Sequence, residues 1–281
     1  MTKNSKIIAK IKLFQILLFV LCLVMLFIMT FPFLMILLNS FKGRLAILKN
    51  PMEFTGFVGP ENYIRAFRIM HYGNAIRNSI FITVFSLLLI VVFSSMLAYF
   101  LVRWKWKINK IIFLLLTASM IIPFQTLMIP LVSIYGKFGI LNNSGALLFF
   151  YMGFGMAMAT FMYHGFIKGV PIELEEAALL DGCGHFSVFR KIVFPNLMPI
   201  TSTIIILDLL WIWNDYLLPS LVLTNERQRT LPLSTFYFFG NYTSEFGLGM
   251  AALVMSIIPI MVLYLLLQKR IISGVMAGSG K

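Results

Sequence analysis

Residues 171–199 read PIELEEAALLDGCGHFSVFRKIVFPNLMP and hold four of the chain's ten carboxylates, Glu173, Glu175, Glu176 and Asp181. Apolar runs flank the stretch on both sides, so its acidic character stands out. Its first half carries helix signals. Pro171 suits the first helical position, where a missing N–H costs nothing. The Glu residues then fall near the positive end of the helix dipole. Gly182 can supply the positive φ that ends such a helix, and Gly184 allows a sharp turn. A second short helix is predicted over about Phe186–Phe194, stopping before Pro195. Neither helix reaches the roughly 12–15 residues that marginal stability in water requires. Both must pack on something, and the small Ala177 and Ala178 let a partner's side chains come close.

The composition says what that something is. The chain is 60% hydrophobic and 12% charged, with a mean hydropathy of +0.92. A soluble globular domain carries about 25% charged residues, so that class is excluded. The formal net charge of +13 is not gathered into a basic stripe. The basic residues flank apolar segments, which reads as membrane orientation rather than nucleic-acid binding. Cys22 and Cys183 lie in unrelated contexts and the His residues are scattered, so neither a disulfide framework nor a metal site is expected.

Lys3, Lys6, Lys10 and Lys12 precede an apolar run from Leu13 to Leu38, too long for the core of a signal peptide and read as a first spanning helix. Pro51, Gly56, Gly59 and Pro60 break Asn39–Arg77 into loop, with a short interfacial helix expected over Glu61–Met70. Further spans are predicted at Ile80–Val102, Ile111–Tyr135, Ala146–Val170, Thr201–Leu223 and Leu248–Leu267, each long enough for a hydrocarbon core of ~30 Å. Six spans put both termini on one side. That side holds fourteen of the 23 Lys and Arg residues. The sharper contrast is four basic residues in Arg103–Lys110 against Lys137 alone near the next loop. The termini and residues 171–199 are therefore expected in the cytoplasm. The fold class is an all-α integral membrane protein with six transmembrane helices. It has an N-terminus at 1–12, a first helix at 13–38, an extracytoplasmic loop at 39–79, a core at 80–268 with five spans, and a tail at 269–281. Pro123, Pro130, Pro219 and Pro259 are expected to kink or end their helices. Gly153, Gly155, Ala157 and Ala159 let another helix pack closely.

In the acidic loop, Glu176-Ala177-Ala178 is followed after three residues by Gly182, and after nine more by Ile192-Val193-Phe194-Pro195. This resembles the membrane-spanning permease subunits of bacterial ABC importers. Their signature is EAA, three residues, Gly, nine residues, then Ile-x-Leu-Pro. Phe194 in place of Leu is the single departure, a bulky apolar exchange. The resemblance implies the transmembrane domain of a type I ABC importer. In it the loop is cytoplasmic and its coupling helix docks in a groove on the ATPase subunit. Glu175, Glu176, Ala177, Ala178, Asp181, Gly182, Ile192 and Pro195 are the residues implied in that coupling. The alternative is an ordinary acidic connecting loop.

The fifth span carries Asp208 and then Trp211-Ile212-Trp213-Asn214-Asp215-Tyr216. An ionised Asp at the bilayer centre costs about 2.5–3.5 kcal/mol on insertion scales, so Asp208 should face the bundle or water. The run resembles the corresponding stretch in permeases for sugars and polyols. Trp faces stack on sugar rings and Asn and Asp bond hydroxyls, which makes Asp208, Trp211, Asn214 and Asp215 candidates for a substrate path. The competing reading is an aromatic interface belt with an interhelical hydrogen bond. The ending GVMAGSGK fails as a phosphate loop, because Gly274 stands one position too far from Gly280-Lys281. It resembles instead the Gly-rich tail that reaches the ATPase interface in maltose-type permeases, through Gly274, Gly278 and Gly280.

With the Asn78-Ser79 pair added, the resemblance covers nearly the whole chain and points to the smaller permease of a carbohydrate importer, its cargo expected to be an oligosaccharide. It implies a bacterial cytoplasmic membrane location, a second homologous permease, an ABC ATPase dimer and an extracellular solute-binding protein. It implies no nucleic-acid partner. The chain is expected to be no enzyme and to hold no cofactor, ATP and Mg being bound by the partner ATPase. The alternative is a secondary transporter or channel working without an ATPase. Against it stand the lack of inverted halves and the scarcity of intramembrane acids. An intramembrane enzyme would need a constellation that Asp208, His164 and Asp215 do not make.

Overall fold

The computed structural model describes residues 3–239 and 245–279. Among these the chain is helical, with one isolated antiparallel bridge between Lys42 and Phe57. In order, the helices are α1 (Lys3–Ser40), α2 (Arg44–Lys49), α3 (Glu61–Ile69), α4 (Tyr72–Arg103), α5 (Lys107–Ser119), α6 (Phe124–Lys137) and α7 (Ser144–Ile167). They continue as α8 (Glu173–Leu180), α9 (His185–Val188), α10 (Phe194–Asn196), α11 (Met198–Asn214), α12 (Leu217–Val222), α13 (Leu231–Thr235) and α14 (Phe246–Ser279). Among the described residues, four helices are long and apolar enough to cross a membrane by themselves: Lys12–Ser40, Tyr72–Arg103, Ser144–Ile167 and Phe246–Leu266. Two bent pairs, α5 with α6 and His185–Asn196 with α11, raise the number of candidate spans to six.

The chain divides into two compact units. The first holds Met1–Ile69 and Phe236–Met255. Its polar knot lies just beyond α1. The Lys42 side chain is fully buried, and its Nζ donates to the Pro51 carbonyl at 2.9 Å. Asn62 of α3 donates to the carbonyls of Ser40 and Lys42, both at 2.9 Å. A Cβ at Gly247 would stand 2.5 Å from the Lys42 carbonyl oxygen and 2.7 Å from Asn62 Nδ2. Both neighbours are held by these bonds, so Gly247→Ala is expected to cost about 1–3 kcal/mol through overpacking. A thermal inactivation midpoint lowered by a few degrees for the solubilised protein is the measurement that checks it.

The second unit holds Met70–Thr235 and Ser256–Lys281. Its spine is α4 packed along α7. The buried face of α4 carries Ser79, Thr83, Ser86, Ile90, Ser94 and Ala98 at helical spacing. Small residues let the two backbones approach. At Gly155 of α7 a Cβ would stand 2.5 Å from Ile90 Cδ1. α11 packs on both helices, and Tyr163 of α7 donates to Thr201 Oγ1 of α11 at 2.9 Å. Asn78 donates to the carbonyls of Arg227 and Arg229, at 2.8 and 3.1 Å. Ser79 Oγ accepts the Leu231 N–H at 2.7 Å, so the Asn-Ser pair pins the segment before α13 to the start of α4.

Some sequence expectations need correction. Pro171 lies outside α8, whose cap residue is Ile172. The predicted span Ile111–Tyr135 is two helices meeting at 103°. Pro123 has no N–H for the α-helical ladder, and Met120, Ile121 and Ile122 instead bond three residues back. Pro130 sits within α6 and Pro259 within α14 without ending either helix. The second loop helix does not stop before Pro195. A π-helical turn over Phe189–Val193 leads into α10, which contains Pro195. Phe194 there bonds five residues back, to the Phe189 carbonyl, and this wider turn precedes the residue that has no N–H to give. The fifth span breaks at Asp215 and Tyr216, leaving α11 at 17 residues.

Candidate functional site

Two places in the second unit gather the candidate residues: the acidic loop and a cavity beside α11. In the loop, α8 ends as the glycine requires. Gly182 has φ +82°, its N–H bonds the Leu179 carbonyl at 3.1 Å, and the Cys183 N–H bonds the Ala178 carbonyl at 3.0 Å. This is a Schellman motif closed at Gly182. Glu173, Glu176 and Asp181 are exposed, as are Leu174, Leu179 and Phe186, and Leu180 is 90% exposed. The loop thus presents carboxylates and bare apolar side chains together. Ala177 is exposed and Ala178 half-buried, Ile192 is half-buried, and Pro195 is exposed.

Glu175 points the other way and is 4% exposed. Its Oε1 accepts from Arg103 Nε at 2.9 Å and Nη2 at 2.6 Å, and its Oε2 accepts from the Tyr99 hydroxyl at 3.0 Å. Arg103 Nη2 also reaches the carbonyls of Ile167 and Val170, at 3.3 and 3.1 Å. Ring contacts continue the attachment: Tyr99 with Phe189 at 5.3 Å and Trp104 with His185 at 5.3 Å. Sequence reasoning missed Arg103, Tyr99 and Trp104. The one signal available was a lone buried-type Arg at the end of an apolar run, which it used only as an orientation charge.

The far end of the loop runs into α11 through a 75° bend at Leu197, which is buried. Backbone bonds cross the bend, from Leu197 to Val193 at 3.2 Å and from Thr201 to Leu197 at 2.8 Å. The loop and α11 are one hydrogen-bonded piece.

Further along α11, Asp208 and Trp211 line a cavity of about 700 Å³. Its walls come from the α5–α6 bend, α6, α7 and α11, and include Phe124, Tyr135, Phe150 and Phe154. Gly153, Gly155 and Ala157 lie in the wall, so the small residues of α7 make room as well as close packing. Asp208 is 8% exposed, and its Oδ2 has no hydrogen-bond partner among the described residues. A buried carboxyl oxygen without a partner is costly, and it stands in the helix that lines the cavity. Trp211 stands edge-on to Tyr151 at 5.5 Å. Asn214 and Asp215 are outside the cavity wall. Asn214 donates back to the Leu210 carbonyl at 2.8 Å. Asp215 accepts the Tyr151 hydroxyl at 2.9 Å and the N–H of Leu217, the first residue of α12, at 2.9 Å. Gly274 and Gly278 fall within α14, and Gly280 lies outside the described residues.

Residues 90–276 match the family described as binding-protein-dependent transport system inner membrane component. The chain is 46% identical over 250 residues to the Probable starch degradation products transport system permease protein AmyC of Thermoanaerobacterium thermosulfurigenes, covering 89% of this chain and 91% of that one. It is 37% identical over 251 residues to the melibiose/raffinose/stachyose import permease MelC of Bacillus subtilis, with the same coverage of each chain. In fold it is similar to a chain of a bacterial ABC transporter that imports the acidic polysaccharide alginate, at a TM-score of 0.70 and 19% identity, covering 96% of this chain and 98% of that one. A multi-pass helical bundle, the acidic loop fused to α11 and these matches have one reading: the chain belongs to the family of binding-protein-dependent transport system inner membrane components.

Proposed function

We propose that the chain is one permease subunit of an ATP-driven importer that carries an oligosaccharide across the bacterial cytoplasmic membrane. The observation that carries this reading is the loop itself. Exposed Glu173, Glu176 and Asp181 beside the bare Leu180 and Phe186 form a docking face, and the same piece of chain continues into the helix that lines the cavity. A partner seated on the loop can therefore move α11. The partners are a second permease, an ATPase dimer that binds ATP and Mg, and an extracellular binding protein. This chain supplies no nucleotide chemistry. Its share of the path is the cavity of Asp208 and Trp211, where a carboxyl group and aromatic faces suit sugar hydroxyls and rings. The carbohydrate class rests on the names of the similar permeases, for starch degradation products and for melibiose, raffinose and stachyose. Gly274, Gly278 and Gly280 are assigned to the ATPase interface on the resemblance of the tail alone.

The native complex, purified and placed in liposomes, tests the reading. Uptake of starch-derived or galactosyl oligosaccharides should require ATP, and the same glycans should stimulate ATP hydrolysis. Uptake driven by an ion gradient without ATP would favour the secondary-transporter reading. Orientation is tested in a chain whose Cys22 and Cys183 are replaced by Ser. A cysteine at exposed Lys105 should be labelled only from the cytoplasm and one at exposed Phe138 only from outside. Labelling of Lys105→Cys in intact cells by a membrane-impermeant reagent reverses the orientation and removes the docking face from the ATPase side.

A further inference from the structure

The proposed docking helix has eight residues and is joined to α7 only through residues 168–172, which include Gly169. At its other end stand Gly182 and Gly184. A push on such a segment would swing it about its links before it moved any membrane helix. What opposes the swing is the buried side of α8. Arg103 is the last residue of α4, and its guanidinium gathers the Glu175 carboxylate of α8, the terminal Ile167 carbonyl of α7 and the Val170 carbonyl beyond it. Tyr99, one turn earlier on α4, holds the second carboxylate oxygen.

We infer that Arg103, Glu175 and Tyr99 form a positioning clamp through which motion of α8 is delivered to the adjoining ends of α4 and α7. The inference rests on the importer reading above. A guanidinium suits the task because its planar fork bonds a carboxylate and carbonyls at once in a fixed geometry, where a flexible ammonium would not. The site is nearly dry, with side-chain exposures of 13% for Arg103 and 5% for Glu175, so water competes weakly for these bonds. α4 and α7 are the spine of the unit, and α7 also lines the cavity. The loop then has two routes to the cavity walls: directly along α11 from its far end, and through the clamp to α4 and α7 from its near end.

A clamp that transmits motion is distinguished from one that only stabilises by the ratio of ATP hydrolysed to sugar carried. The complete complex in liposomes is compared with complexes carrying Arg103→Gln, Glu175→Gln, Arg103→Lys or Tyr99→Phe. Arg103→Gln and Glu175→Gln are expected to retain the ATPase subunit and most hydrolysis while raising the ATP-to-sugar ratio about tenfold, because each leaves a buried polar partner unmatched. Arg103→Lys should behave like Arg103→Gln, since charge without the fork does not restore the geometry. Tyr99→Phe removes one hydrogen bond and keeps the ring packing, and should raise the ratio about threefold. An unchanged ratio in all assembled variants overturns the inference. Where the charge variants fail to assemble, Tyr99→Phe decides, and a wild-type ratio in it overturns the inference equally. Wild-type transport that proceeds without ATP rejects the importer reading itself, and is seen before any variant is made.

Discussion

Replacing Gly182 by Val is expected to leave a chain that inserts and packs normally but carries much less sugar. Gly182 holds φ +82°, where a β-branched residue costs roughly 1–3 kcal/mol. Beyond the adjoining chain, no atom of the described residues lies within 4 Å of a Cβ placed there, so the effect comes from the backbone and not from a clash. The strain falls on an eight-residue helix that cannot hold itself in water. Relief means opening the two hydrogen bonds that Gly182 and Cys183 make to the Leu179 and Ala178 carbonyls. The last turn of α8 then frays, and Glu176 and Leu180 no longer stand together. A penalty of that size shifts the population of the docking geometry about 5- to 150-fold, and uptake at equal expression should fall within that range. Gly182→Asn provides the control, because Asn visits the left-handed region readily and should keep most of the uptake. Glu176→Lys should act in the same direction by reversing an exposed charge. Copurification of the ATPase subunit with each variant reads the cause, and wild-type uptake by both Gly182→Val and Glu176→Lys would end the assignment of this loop to coupling.

What was legible beforehand has a physical pattern. The spans, the acidic loop and the helix end at Gly182 rest on composition, on periodicity or on a single backbone requirement, and each of these is local. Arg103 was not legible, because its role depends on Glu175, 72 positions later, pointing inward while Glu173 and Glu176 point out. Three acids within four residues on a helix cannot all share one face, yet which of them is buried depends on what packs behind. The bend between α5 and α6 was half legible. Pro123 marked the place, but an angle of 103° is a property of what the two halves pack against. The π turn before Pro195 belongs to the same class, since it becomes necessary only once helix continues on both sides of the proline.

The WND run shows the opposite case, residues read together whose side chains the fold engages in different places. Asp208 and Trp211, three apart, meet at one cavity. Asn214 continues that spacing but its amide is returned to its own helix at Leu210. Asp215 is occupied with Tyr151 and the first turn of α12. Asn and Asp are good partners for a sugar hydroxyl and equally good partners for nearby backbone, and the choice is made where a helix has to end. The break after Asn214 made that choice for Asp215.

Uptake should accordingly divide the four residues in pairs. Asp208→Asn alters, and Asp208→Ala removes, a carboxyl group whose Oδ2 is buried and without a partner among the described residues. A hydrogen bond from a sugar hydroxyl to this carboxyl group contributes about 0.5–1.5 kcal/mol net, so transport should fall about 2- to 10-fold in the alanine variant. Trp211→Ala takes away an aromatic wall that is 41% exposed beside the cavity and should cost a comparable amount, with the assembled complex retained. Asn214→Ala should stay within about twofold of wild type, because it loses only a bond to its own helix. Asp215→Ala should weaken the complex before it weakens transport, since it loses the bonds to the Tyr151 hydroxyl and the Leu217 N–H, each contributing about 1 kcal/mol. Initial uptake rates at several sugar concentrations, at matched amounts of assembled complex, check the division. Wild-type rates for both Asp208→Ala and Trp211→Ala would take the cavity out of the path and leave the aromatic run as an anchor at the membrane interface.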